Sequence, residues 1–167
     1  MNVQREGIAA PDDSESETRR SSSAPARCAL LYGVAAIVSL IGLADALYLT
    51  IEHLAGRSVQ CTVVAGCSAV LGSAYATIGP IPLAGLGALA YFTAFSCATL
   101  SAFGYSGARA LLTVVVALMF LTTLWLLFVQ AYILRAFCAY CLLSAAVTLT
   151  LAGIVVALRL IRKGEKD

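Results

Sequence analysis

The chain has 167 residues, 60% of them hydrophobic and only 12% charged, with a net charge of +2. That balance excludes an ordinary soluble domain, and the charge is too small and too dispersed for a nucleic-acid partner. Between Cys28 and Leu158 the only Asp, Glu, Lys or Arg side chains are Asp45, Glu52, Arg57, Arg109 and Arg135. A hydrocarbon layer takes about 20 apolar residues to cross. Four stretches meet that length, at about 29–51, 82–103, 109–133 and 138–159. The expected fold is an all-α integral membrane protein, a bundle of four transmembrane helices.

In chain order, residues 1–27 are rich in Ser, Glu, Asp and Arg, with Pro11 and Pro25 and almost no large apolar side chains. This composition predicts a disordered cytoplasmic tail, too long and too acidic for a signal peptide. A membrane domain over 28–162 follows, and 163–167 form a short second tail. Span one carries Asp45, Tyr48 and Glu52 near its outer end, at a spacing that puts them on one face. An acid inside a membrane helix is costly and turns toward the bundle interior, which makes Asp45 a functional candidate. Its alternative role is a bond to a neighbouring helix.

The long loop after span one holds Cys61 and Cys67. Within it Cys67, Val70, Leu71, Ala74 and Tyr75 recur at helical spacing, which predicts a short half-helix on the membrane surface with its apolar side against the bundle. Gly79, Pro80 and Pro82 set the start of span two. Cys97 in span two and Cys28 at the inner edge of span one have no cysteine nearby and read as packing residues. Gln130, near the outer end of span three, either packs, bonds another helix or lines a polar pocket. Cys138 and Cys141 then form a Cys-x-x-Cys pair where span four begins.

The charges also report topology. Nine of the eleven basic residues lie in the N-terminal segment, the Arg109 turn or the end of span four, and only Arg57 and Arg135 on the other side. The positive-inside bias places both termini and the Arg109 turn in the cytoplasm, in the inner or plasma membrane. All four paired cysteines then face outward, where disulfides form and persist.

Two dithiol pairs at one membrane surface suggest an electron relay, since thiol–disulfide exchange passes two electrons by thiolate attack. Cys138 and Cys141 sit at a helix start, where unpaired amides and the positive macrodipole end favour a thiolate. Two other arrangements use the same residues. The four cysteines could form two fixed structural disulfides in a non-catalytic scaffold. They could also hold zinc, although Cys-x5-Cys is wide for a zinc knuckle.

The segment from about Leu30 to Arg162 resembles the vitamin K epoxide reductase family, and among its members the bacterial disulfide-generating type without a fused thioredoxin-like domain. The resemblance is carried by Gly42-Leu-Ala-Asp-Ala-Leu-Tyr-Leu-Thr, Cys61-x5-Cys67, Ser73-Ala-Tyr-Ala, Gly79-Pro-Ile-Pro-Leu-Ala-Gly-Leu-Gly and Phe137-Cys-Ala-Tyr-Cys. It implies a four-helix bundle around a quinone, menaquinone or ubiquinone, with the surface half-helix as a lid. It also implies a relay from a separate thioredoxin-like (DsbA-like) extracytoplasmic partner. Cys61 would face the partner, Cys67 would shuttle to Cys138, and Cys141 would stand beside the quinone. Ser73 matches a serine near the quinone head group, and Tyr75 and Asp45 join it as expected quinone-site residues, with no metal. The animal enzymes carry a tyrosine one turn after the second cysteine of the pair, where this chain has Ala145. The expected reaction is therefore quinone reduction in support of disulfide formation, with epoxide reduction as the alternative.

Overall fold

The computed structural model describes residues 13–56, 70, 72, 76–78 and 81–164, and before residue 27 only the backbone. Its first helix, α1, spans Asp13–Leu54; α2 spans Leu83–Ala102, α3 Ser106–Phe128 and α4 Ala139–Gly164. A π-helical turn, Val129–Leu134, continues α3. Four segments are long and apolar enough to cross a membrane: Arg27–Leu54, α2, Ser106–Leu134 and α4. At about 1.5 Å per residue even α2, the shortest, covers the hydrocarbon layer. The protein is thus the all-α, four-span membrane protein that the sequence predicts.

Three details differ from the sequence reading or add to it. Helical backbone begins at Asp13, inside the stretch expected to be a disordered tail. A helix nucleated by the apolar span propagates backwards at little further cost, because nucleation is the expensive step. Span three starts at Ser106 rather than 109 and runs through the π-helical turn to Leu134. Before α2 the chain forms a small antiparallel hairpin, β1 (Thr77–Ile78) with β2 (Ile81–Pro82), pairing Thr77 with Pro82 and Ile78 with Ile81. Pro82, extended at φ −67°, is the N-cap of α2, where its missing amide hydrogen costs nothing. The expected half-helix over Cys67–Tyr75 lies outside the described residues, apart from helical Val70.

Small residues hold the bundle together. Ala35 and Ala46 of α1 and Ala88, Ala94 and Ala98 of α2 are all buried, and α1 packs more extensively on α2 than on any other helix. Lipid offers no hydrophobic drive for helix pairing, so close backbone approach between small side chains must supply the contact energy. α3 is the outlying stave, burying only Leu112 and Val116. Leu118, Leu121 and Trp125 stand mostly exposed on it, as residues facing acyl chains do. Hydroxyls inside the spans satisfy themselves locally: Ser39 donates to the Ala35 carbonyl at 2.8 Å and Ser101 to that of Cys97 at 2.6 Å. Cys97 is buried in this core and Cys28 packs against it, consistent with packing roles for both.

Candidate active site

The site grows from the four-residue connector between the third span and α4. Cys138, the last residue of that connector, closes the N-terminus of α4: its carbonyl accepts the Leu142 amide at 3.0 Å. The first amides of any helix lack partners. Here the Cys138 sulfur takes up the N–H groups of Cys141 and Tyr140, as a polar N-cap side chain would. The Cys141 thiol also donates to it, and that bond is the largest influence on Cys138. Together these donors lower the Cys138 thiol to about 7, against the opposing push of burial and of Asp45. A thiolate is therefore prepared by local backbone geometry. Cys138 is fully buried, Cys141 is half-buried, and both are free thiols.

Gln130 fixes the connector. Its side-chain oxygen accepts the Cys138 amide at 3.3 Å, and its backbone carbonyl accepts the amides of Arg135 and, at 3.2 Å, Ala136. Its side chain is also in hydrogen-bond contact with Cys141. The wide π-helical turn makes this anchoring possible, because one extra residue per turn frees a carbonyl to meet the departing chain. Arg135 ends the turn in the left-handed region at φ 47°, which reverses the chain toward Cys138. Around the pair, Val70 is buried against Cys138 together with Leu134 and Ala136. Tyr140, inside the Cys-x-x-Cys, packs on Tyr48 of α1 with ring centroids 5.4 Å apart.

Cys141 opens onto a cavity of about 440 Å³ between the four spans. Its wall is chiefly apolar, with Leu49, Leu86 and Leu126 among the lining residues, and its polar lining residues include Asp45, Gln130 and Ser144. One carboxyl oxygen of Asp45, Oδ2, is buried with no hydrogen-bond partner among the described residues. An apolar cavity of this size with sparse, convergent polar atoms is the usual form of a small-molecule site.

Tyr91 bolts α2 to α4 one turn beyond the cysteine pair. Its hydroxyl meets the Ser144 carbonyl at 3.0 Å, the Ser144 hydroxyl at 2.8 Å and the Thr148 hydroxyl at 3.0 Å. Its ring lies over Gly42 so closely that a β-carbon there would overlap it. Gly42 thus opens the Gly42–Thr50 string for a steric reason.

Of the residues singled out in the sequence, the structure brings Asp45 and Cys141 to the cavity wall, with Cys138 bonded to Cys141 behind it. Cys61, Cys67, Ser73 and Tyr75 lie outside the described residues. Sequence reasoning left Gln130 among several roles and passed over Tyr91, Ser144 and Thr148. Ser144 stands one turn after Cys141, which was the available signal; Tyr91 gives none, because an isolated tyrosine in an apolar run reads as lipid-facing.

Comparison with known proteins gives one positive result. The family model described as the vitamin K epoxide reductase family matches residues 34–156, from the middle of α1 into the last turns of α4. No curated protein matches the chain.

Proposed function

Because the chain belongs to the vitamin K epoxide reductase family of membrane oxidoreductases, we propose that it is a quinone-dependent thiol–disulfide oxidoreductase supporting disulfide formation in exported proteins. The observation that carries this reading is the placement of Cys138 and Cys141: a buried, prepared thiolate beside a partner thiol that opens onto an apolar cavity inside a membrane bundle.

In this reading a thioredoxin-like extracytoplasmic partner reduces the Cys61–Cys67 disulfide. Cys67 attacks Cys138 in its disulfide with Cys141; the Cys138–Cys141 bond breaks, a Cys67–Cys138 bond forms, and Cys141 leaves as the thiol. Cys61 then attacks Cys67, which restores the loop disulfide and leaves Cys138 and Cys141 reduced. When these two close their disulfide again they release two electrons and two protons, the amounts that turn a quinone into a quinol. Asp45 and Gln130 supply polar contacts at the cavity wall, with Ser73 and Tyr75 as further contacts from the loop. Menaquinone and ubiquinone both suit the cavity chemistry. Ala145 lines the cavity where the animal enzymes carry a tyrosine, which favours quinone over epoxide as the substrate.

Purification with native lipid followed by single-turnover reduction of the bound quinone tests the assignment. Dithiothreitol should drive the reaction in the intact protein and in Cys61→Ser or Cys67→Ser, whereas Cys138→Ser and Cys141→Ser should be inactive. Equal inactivity of loop and inner-pair variants with the small dithiol would refute the ordered relay. Full activity of the inner-pair variants would refute the function itself.

A further inference from the structure

At the end of the bundle opposite the cysteine pair lies a second cavity, of about 200 Å³, that the redox chemistry does not use. Tyr32, Ser106, Arg109, Thr113, Arg159 and Arg162 line it. Three arginines from two helices, Arg109 of α3 and Arg159 and Arg162 of α4, therefore line one recess. Among the residues whose side chains are described, the carboxylates are Asp45 and Glu52, both on α1 in the half nearer the cysteines, and neither neutralises this cluster. Arg162 is held in hydrogen-bond contact with the Tyr32 hydroxyl. Arg109 gives one nitrogen to the Gly104 carbonyl at 2.9 Å, and its Nε is buried with no hydrogen-bond partner among the described residues. The recess also opens at the first turn of α3, where helix amides lack acceptors and favour an anion.

We propose that this recess binds the phosphate group of an anionic phospholipid. Guanidinium forks match phosphate oxygens with paired, charge-assisted hydrogen bonds, and basic pockets between spanning helices are a known form of headgroup site. The surroundings identify a lipid rather than a soluble anion. Leu112 and Leu158 make the floor apolar, and Leu111 and Leu160 beside it face outward, where acyl chains run. An occupant with a phosphate and two hydrocarbon tails satisfies both halves of the recess at once. The site would tie α1, α3 and α4 together at the end of the bundle away from the redox pair.

The test uses the full chain in detergent, with native mass spectrometry and thermal unfolding as readouts. Probes are phosphatidylglycerol, phosphatidylcholine and inorganic phosphate. Phosphatidylglycerol should remain bound at one molecule per chain and raise the unfolding temperature, while the other two do neither. Arg162→Gln should weaken retention by about tenfold, the loss of one charge-assisted hydrogen bond. Arg109→Gln should do the same, with Arg109→Lys intermediate if the neutral variant fails to fold. Lys163→Gln removes a charge from the same end without touching the recess, and should change nothing. Equal retention of phosphatidylcholine, equal protection by inorganic phosphate, or an equal effect of Lys163→Gln would each overturn the proposal. So would tighter lipid binding on converting Asp12, Asp13, Glu15 and Glu17 to amides, since the acidic tail would then be the natural occupant.

Discussion

At the scale of single residues, the chemistry depends on donors aimed at one sulfur. Cys138 receives the Cys141 thiol and two backbone amides, so its thiolate persists down to about 7 and is lost as the pH falls below that value. An ordinary cysteine is ionised only above about 8.5. The ultraviolet thiolate signal that disappears in Cys138→Ser should therefore titrate near 7 in the reduced protein. Cys141→Ala removes the largest support and should move that midpoint upward; an unchanged midpoint would assign the effect to the helix terminus alone. Gln130 matters for a different reason, because it is the acceptor that keeps the Cys138 amide satisfied in a buried place. Gln130→Leu leaves that donor unpaired, at a cost of about 1–3 kcal/mol. The expected result is faster amide exchange at Cys138 and slower quinone-linked turnover, with the fold retained. Protection of that amide at its original level would show the glutamine to be dispensable.

At the scale of elements, the contact between α2 and α4 sets how firmly the redox turn is held. Tyr91→Phe removes the hydroxyl that meets Ser144 and Thr148. Interhelical bonds in membranes average about 0.6 kcal/mol, so the expected loss of stability is about 1 kcal/mol. Gly42→Ala should be worse, roughly 1–3 kcal/mol as for other overpacked contacts, because the Tyr91 ring already occupies the space. Unfolding in detergent ranks the two, and a harmless Gly42→Ala would show that α1 and α2 separate more easily than their packing implies. The loop and α4 can be linked chemically in the same spirit. Replacing Cys141 by Ser leaves Cys138 without its pair partner, so Cys138 attacks Cys67 in the loop disulfide. The Cys61–Cys67 bond breaks, a Cys67–Cys138 bond forms, and only the return of Cys61 to Cys67 can release it. A Cys67–Cys138 crosslink should then accumulate, visible after cleavage between spans two and three as fragments that only reductant separates. Adding Cys61→Ser should preserve it and adding Cys67→Ser should abolish it. A crosslink running from Cys61 would exchange the roles of the two loop cysteines.

At the scale of the whole molecule, the sequence made the number of spans, the cysteine pair and its position at a helix start legible, because hydropathy and helix-terminus electrostatics act locally. The π-helical turn was not legible. Val129–Leu134 reads as a plain apolar helix end, and only the need to satisfy the Cys138 amide reveals why Gln130 is there. The Tyr91 contacts were hidden for a related reason, since they join residues more than fifty positions apart. Charge asymmetry predicts cytoplasmic termini, and this has a direct check. An impermeant thiol reagent on reduced intact cells should reach Cys61 first and Cys28 only after the membrane is opened; labelling of Cys28 from outside would invert the topology.

The sparse burial of α3 carries a consequence for how this sequence is free to drift. α1 and α2 meet through alanines and a glycine with no room for a larger group, whereas α3 touches its neighbours through little more than Leu112 and Val116 and turns most of its surface to lipid. One apolar side chain solvates an acyl tail about as well as another. Exhaustive substitution should therefore find α3 permissive to Leu, Ile, Val, Phe and Met at nearly every outward position, and α2 intolerant of anything larger than alanine at Ala88, Ala94 and Ala98. A library in which the outward positions of α3 prove as intolerant as the alanines of α2 would mean that α3 has a protein neighbour in the membrane, and that its outward side chains form an interface.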